Sequence, residues 1–192
     1  MKRISISLLA LFAVLFSFAQ DKQELKVMTY NILHGGMASI EDLSKFITQH
    51  HPDVVMLQEI DINTHRKDEE HLHDRTLIAE LGYPTKMFSA FGKSISFSGG
   101  YYGLGLLSKY PIVKMERVLL PMLSPNHEQR SLLMAIVELD NGDRICVGST
   151  HLDLHADARM AQVQHINKVM RDTGYPCVVA GDFNATPDAN EI

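Results

Sequence analysis

The run Cys177-Val-Val-Ala180, closed by Gly181-Asp-Phe-Asn184, restricts the fold more than any other stretch of the chain. Four consecutive apolar residues without polar alternation read as a strand buried on both faces, and such a strand needs a covering layer on each side of its sheet. Gly181 has no side chain, so another backbone or a ligand can come close there. Asp182 and Asn184 follow at a spacing of two, which in extended chain turns both side chains to one side. A carboxylate and an amide delivered together from a buried strand make a poor core and a good site. An Asx turn capping the strand is the alternative, since Asp and Asn are ordinary turn residues.

The preceding sequence supplies the layers. Leu25 to Asn31 alternates as a first strand, and His34-Gly-Gly36 breaks it. Ser39-Ile-Glu-Asp42 has capping-box form, and Ile40, Leu43, Phe46 and Ile47 give a helical stripe before Pro52. Asp53 to Glu59 reads as a second buried strand ending in a carboxylate, so the chain opens with a strand–helix–strand unit. The polar segment Asp61 to Glu70 reads as loop. Leu72, Thr76, Ile78 and Leu81 predict a short helix stopped by Gly82 and Pro84. Pro111 to Leu120 reads as a ragged strand, and Asp140-Asn-Gly142 predicts a hairpin turn whose second strand runs into His151. Asp157 is the expected cap of a helix carrying Val163, Ile166, Val169 and Met170 on one face. Hairpins mixed with strand–helix–strand units indicate an α/β or α+β sandwich rather than a purely parallel sheet.

Met1-Lys-Arg3, an apolar run from Ile4 to Phe18 interrupted only by serine, and small residues at Ser17 and Ala19 predict a signal peptide over residues 1–19. The run is short for a membrane span of ~20 residues. Export to a periplasm or beyond is the expected address, with no stable span left after cleavage. Residues 20–192 then form one domain. With 23 Asp and Glu against 18 Lys and Arg, the chain shows no broad basic surface, so nucleic acid stays open as a partner but has no basic patch to meet it. Cys146 and Cys177 both lie in apolar runs and are expected as buried free thiols, with a disulfide as the less ordinary outcome.

Asn31, Glu59, His151 and the pair Asp182 and Asn184 each stand where an apolar strand is expected to end. If those strands pack side by side, the groups gather along one edge of the sheets. Oxygen ligands such as Glu59, assisted by Asn31, suit a hard divalent ion, Mg²⁺ above all and Mn²⁺ as a substitute. Asp182 can orient or deprotonate a water, while Asn184 and His151 can donate to an anionic oxygen. Together they describe metal-assisted attack of water on a phosphoryl centre.

Met28-Thr-Tyr-Asn-Ile32, Leu57-Gln-Glu59, Tyr102-Gly-Leu-Gly-Leu-Leu-Ser108, Ser149-Thr-His-Leu152 and Ala180-Gly-Asp-Phe-Asn184 occur in the order found in the endonuclease/exonuclease/phosphatase family. That family includes pancreatic deoxyribonuclease, apurinic endonucleases, bacterial sphingomyelinases and inositol polyphosphate 5-phosphatases. The resemblance covers nearly all of the chain after residue 19. It implies a DNase I-like four-layer α/β/β/α sandwich with the site at one edge of the paired sheets. It also implies Glu59 as the main Mg²⁺ ligand with Asn31 beside it, Asp182 positioning water, and Asn184 and His151 holding the phosphate. Tyr102 matches a position near the substrate. Arg130 and Arg159 are candidates for phosphate contact or for salt bridges that tie loops together. Family members close the site with a C-terminal Asp-His pair, and no such pair follows Asn184 before Ile192. The sequence is therefore expected to be a truncated, N-terminal piece of a longer enzyme, weakly active or inactive alone, with exposed sheet edges.

Two other readings compete. A zinc hydrolase could use His151, Asp153 and His155, which would share one face if the strand continued through them. A non-catalytic binding module could keep the sandwich without the chemistry. For a substrate, a phosphodiester or phosphomonoester of small or medium size is expected. Phe88, Phe91 and Phe97 are expected in the core rather than as membrane-seeking loop residues.

Overall fold

The computed structural model describes residues 24–67 and 69–191. The expected signal peptide over residues 1–19 lies outside the described residues. Two four-stranded mixed sheets face one another. The first has the order β1-β2-β4-β3, built from β1 (Val27–Asn31), β2 (Val54–Ile62), β3 (Phe88–Phe97) and β4 (Gly100–Ser108). The second has the order β5-β6-β7-β8, from β5 (Ile112–Leu119), β6 (Ser131–Glu138), β7 (Arg144–His151) and β8 (Cys177–Asp182). Helices α1 (Ile40–His50) and α2 (Leu77–Thr85) cover the outer face of the first sheet, and α3 (Ala156–Asp172) covers the second. These are the four layers that the motifs implied.

The period of two along each strand sorts the side chains into three apolar seams. In β2, Val55 and Leu57 pack outward against Leu43 and Ile47 of α1 and Leu77, Ile78 and Leu81 of α2. Val54 and Met56 point inward and meet Leu133, Ala135 and Val137 of β6 between the sheets. The other face of β6, Leu132, Met134 and Ile136, meets Ile166 and Met170 of α3. A strand with apolar residues on both faces therefore marks a sheet centre, and β2 and β6 hold those places. β8 does not. It lies at an edge of its sheet among the described residues, with Cys177 exposed and the rest half-buried, because only β7 pairs with it.

Local chemistry sets several boundaries. Ser39 caps α1, accepting from the Asp42 backbone N–H at 3.1 Å and donating to the Asp42 carboxylate at 2.7 Å. Helix α2 runs through Gly82 and Pro84 instead of stopping at them; Pro84 falls in its last turn, and Lys86 ends it in the left-handed region at φ 57°. Helix α3 begins at Ala156 with His155 as its cap, so Asp157 lies in the first turn rather than at the cap. Strand β3 has no counterpart in the sequence reading. It pairs with β4 through a two-residue turn, Ser98-Gly99, in which both residues have positive φ (45° and 84°), the conformation that suits a tight hairpin. On that edge strand Phe88 and Phe97 are exposed and only Phe91 joins a core seam. Cys146 and Cys177 are neighbours in register on β7 and β8 and both are free. Cys146 is buried as expected, and burial first, then the neighbouring Cys177, pushes its thiol up to about 11.

Gly103 permits the bend of the first sheet. The β3–β4 register slips between Lys93 and Ile95 opposite it, and a Cβ on Gly103 would stand 2.1 Å from the Gly92 carbonyl oxygen. The nearest atoms are all backbone of β3, which cannot yield as a side chain would. Gly103→Ala is expected to lower stability by about 1–3 kcal/mol, read from the urea midpoint at unchanged slope. An unshifted midpoint would show that the bulge adapts.

Candidate active site

Each sheet contains one parallel strand pair, β1 with β2 and β7 with β8, and the carboxyl ends of both pairs lie at the same edge of the sandwich. Asn31 is the last residue of β1, while His151 and Asp182 are register partners at the ends of β7 and β8. Glu59 differs from the expectation that it ends its strand. β2 continues to Ile62, and Glu59 is the extra residue of a bulge between Gln58 and Ile60, held at φ 61°. A bulge re-aims a side chain, and a non-glycine residue in this region is strained, an arrangement that concentrates at functional sites.

The Asn31 amide nitrogen joins the sheets. It donates to Glu59 Oε1 at 2.8 Å and to Asp182 Oδ2 at 3.1 Å. Its oxygen accepts from the Leu33 backbone N–H at 3.0 Å. The nitrogen of this amide thus faces the carboxylates, where a metal ligand would have presented the oxygen. Beneath it, Gln58 Nε2 donates to Ser149 Oγ at 3.3 Å and Ser149 Oγ donates to the Leu57 carbonyl at 3.1 Å, a buried polar tie between the sheets. The close approach expected at Gly181 is made against the Thr150 backbone: a Cβ there would stand 1.9 Å from the Thr150 carbonyl oxygen. Asp182, Asn184, Gly181, Asn31, Gln58 and Thr29 line the resulting open cleft.

Asp182 and Asn184 realise both of their readings. The Asn184 backbone N–H bonds Asp182 Oδ1 at 3.0 Å, closing an Asx turn with Asn184 at φ 48°. The Asn184 amide donates to the Leu152 carbonyl at 2.8 Å, which uses one of its two N–H groups. Burial alone would raise the Asp182 carboxyl. The hydrogen bonds from Asn31 and the Asn184 N–H, with His151 and Arg130 nearby, outweigh it and hold the carboxyl below the usual range. His151 Nε2 lies 3.8 Å from Asp182 Oδ2. Burial, reinforced by the charge of Arg130, lowers its imidazole below 6.5 despite the carboxylates of Asp182 and Glu59. Tyr102 has its phenol pushed well up by burial and then by Glu59 and Glu128, so it stays protonated. Arg130 is buried, paired with Glu128 at 2.9 Å, and its Nε has no hydrogen-bond partner.

Arg159 takes the loop-tying alternative, and the zinc trio is corrected. Arg159 donates to Glu191 at 2.6 Å and to the Leu154 carbonyl at 2.8 Å, so it ties the loop after β7. The proposed zinc trio does not form, because β7 ends at His151 and the chain turns into α3. Asp153 and His155 come together instead with His127. Two residues outside the sequence reading do reach the site. His34, in the turn after β1, bonds Glu69 Oε1 at 3.0 Å and places Nδ1 3.9 Å from Glu59 Oε2. The His34-Gly-Gly36 break was the available signal; a polar loop gave none for Glu69.

Residues 28–192 match the family described as Endonuclease/Exonuclease/phosphatase family. The uncharacterized protein YbhP of Escherichia coli K12 is 29% identical over 170 residues, covering 83% of this chain and 66% of the relative. An endonuclease/exonuclease/phosphatase from Beutenbergia cavernae superposes with a TM-score of 0.70 at 23% identity, covering 87% of this chain and 50% of that one. The human Nocturnin catalytic domain with bound sulfate anion superposes with a TM-score of 0.60 at 21% identity, covering 87% and 67%. The chain thus spans less than two thirds of the length of YbhP and half that of the Beutenbergia protein. Among the described residues, no helix is long and apolar enough to cross a membrane.

The shifts of Asp182 and His151 have the same sign. Asp182 and His151 are each lowered in the fold, so each contributes stability above its unfolded pKa that is lost as pH falls through its folded value. In an NMR titration His151 is expected to take its proton below 6.5 and Asp182 below 3.8. Asn31→Ala removes the side-chain donor and is expected to move Asp182 upward. An unmoved Asp182 in that variant would show that the Asn184 N–H and the nearby positive charges set its acidity.

Proposed function

This chain belongs to the endonuclease/exonuclease/phosphatase family, and from that premise we propose that its protein is a Mg²⁺-dependent phosphoesterase, with Mn²⁺ as a substitute ion. The observation that carries the reading is the convergence of Glu59 and Asp182, from opposite sheets, on one Asn31 nitrogen. Two carboxylates separated only by a neutral amide, with further oxygens beside them, form a hard donor set that fits a small divalent cation. Glu59 would hold it, with Asn31 turning its oxygen inward on loading. The ion supplies neutralisation of phosphoryl charge and acidification of water.

The chain's own residues supply the rest. Asp182, kept ionised by its hydrogen bonds, orients a water and takes its proton. His151, neutral at pH 7, donates an N–H to a phosphoryl oxygen without competing with Asp182 for that proton. The second N–H of Asn184 does the same from the neighbouring strand end. Arg130 brings a fixed positive charge and a buried Nε without a partner, which a phosphate oxygen would satisfy. Tyr102, whose phenol is raised by burial and then by Glu59, remains a hydrogen-bond donor. A phosphodiester or phosphomonoester of small or medium size suits an open cleft without a broad basic surround. The sequence of residues 1–19 supports an exported enzyme.

The natural full-length protein should hydrolyse bis(p-nitrophenyl) phosphate or p-nitrophenyl phosphate with Mg²⁺ and lose that activity to a chelator. Asp182→Asn is expected to reduce turnover by roughly 10²–10⁴-fold, the usual contribution of a positioned acid–base group. Glu59→Gln should raise the Mg²⁺ concentration needed. Hydrolysis of neither ester, or equal turnover before and after Asp182→Asn, would sink the catalytic reading and leave a binding module.

A further inference from the structure

Away from the cleft, the loop between β5 and β6 and the turn between β7 and α3 bring three metal-ligating side chains together: His127, Asp153 and His155. Asp153 is 3% exposed, and its backbone N–H is fixed by Gln162 Oε1 at 3.0 Å. One carboxylate oxygen accepts from the His155 backbone N–H at 2.9 Å and lies 2.7 Å from His155 Nδ1. The other lies 3.3 Å from His127 Nδ1. The two imidazoles stack with centroids 4.1 Å apart and planes 9° from parallel, and all three ligand atoms fall within 4.8 Å of one another.

The informative atom is His127 Nδ1. It is buried and lies 3.3 Å from the Asp153 carboxylate, an ion-pair distance without hydrogen-bond geometry. Asp153 therefore pairs with both histidines, but only its contact with His155 is a hydrogen bond. A buried imidazole nitrogen without a hydrogen bond is costly, and a bound ion would satisfy it. Two imidazole nitrogens with one carboxylate suit Zn²⁺ and similar transition metals and do not suit Mg²⁺. With ligand bonds of about 2.0–2.2 Å, neighbouring donors around a tetrahedral ion stand roughly 3.3 Å apart. The His127–Asp153 separation already has that value. His155 must move outward by a few tenths of an ångström. The two stacked rings do not share a plane, so the His155 ring must also swing out of the stack by tens of degrees to turn its Nδ1 lone pair onto the ion, as the Nδ1 proton leaves to solvent. Its side chain is 59% exposed, so it has room to move, and the ion has a path in.

We propose that His127, Asp153 and His155 form a second metal site that takes Zn²⁺ or a similar transition-metal ion, separate from the cleft of Glu59 and Asp182. Its role is positional. His127 lies three residues before Arg130, and Asp153 two residues after His151, so the ion clamps the loop that carries one phosphate-facing group to the turn that carries the other. The site does not depend on the hydrolytic reading.

The test is metal content. The natural full-length protein is stripped with a chelator, equilibrated with Zn²⁺ in a large excess of Mg²⁺, desalted and measured by elemental analysis, with Co²⁺ absorption as a second readout. Wild type and Glu59→Gln are expected to retain one equivalent of Zn²⁺ and to show the intense visible bands of tetrahedral Co²⁺. His155→Ala and His127→Gln are expected to bind roughly tenfold more weakly or worse, since each loses one of three ligands. The His155 side chain is 59% exposed and makes no capping bond to α3, so His155→Ala is expected to fold, with its metal-free melting temperature lowered only by the loss of the hydrogen bond to Asp153, and it decides the matter if His127→Gln does not fold. Zn²⁺ absent from wild type, retained in full by both histidine variants, or lost in Glu59→Gln instead would overturn the proposal. None of these outcomes depends on turnover, so the two readings fail separately.

Discussion

Two carboxylates from different sheets share one amide nitrogen, and most of the molecule's organisation answers to that arrangement. Glu59 and Asp182 are like charges, and at about 5 Å and an effective dielectric of 20 their repulsion is roughly 3 kcal/mol. Hydrogen bonds from a neutral amide to ionised carboxylates contribute about 1.5–3 kcal/mol each. The two bonds of Asn31, about 3–6 kcal/mol together, therefore match or exceed the repulsion. Two carboxylates held this close still gain from any cation that enters the cleft. The cleft also needs its strand ends held at fixed separation, because a small slip of one sheet over the other would break one of the two bonds.

The packing between the sheets provides that fixity in two ways. Over most of its area the seam is apolar, with Val54, Met56, Leu104 and Leu106 facing Leu133, Ala135, Val137 and Val147. Apolar packing resists separation but is not directional. Beneath the cleft the seam becomes polar: Gln58 meets Ser149, and Ser94 meets Ser131 at 2.6 Å. Hydrogen bonds fix relative position where the apolar seam fixes only spacing. The polar ties thus sit where register between the sheets matters to the chemistry.

What the sequence disclosed follows from the range of the interactions involved. The strand–helix–strand opening, the Ser39 cap and the turn at Asp140-Asn-Gly142 rest on neighbours in sequence, and they read correctly. The turn closes from Gly142 N–H to the Leu139 carbonyl at 2.9 Å, with Gly142 at φ 83°. The gathering of Asn31, His151 and Asp182 was legible because each ends a strand of recognisable pattern. Glu59 was correctly placed near the site for the wrong local reason, since a bulge is decided by pairing with a distant strand. Strand β3 escaped notice because its sequence, Phe88 to Phe97, mixes serine, glycine and lysine at an exposed edge, where no alternation is enforced. The full burial expected for β8 failed for the related reason that an apolar run does not say how many neighbours its strand will have. His127 and Glu69 lay beyond reading, because their partners are set by how loops fold over the sheet edge.

Arg130 shows why loop placement bears on chemistry as much as the strand ends do. A guanidinium in a cleft speeds phosphoryl transfer only if it is already oriented when charge develops, since reorientation during the reaction consumes the benefit. Arg130 is held on one side by Glu128 and keeps Nε buried and unbonded. It stands one residue before β6, whose central place in the sandwich anchors its backbone: Leu120 N–H bonds the Arg130 carbonyl at 2.9 Å, and Gln129 Nε2 bonds it at 2.8 Å. In the proposed reaction, a rigid backbone and a guanidinium paired on one edge would suit a phosphoryl oxygen on the other. The loop before Arg130 contacts the turn after β7 through His127 and Asp153. An ion held at the proposed metal site would stiffen the loop that leads into Arg130.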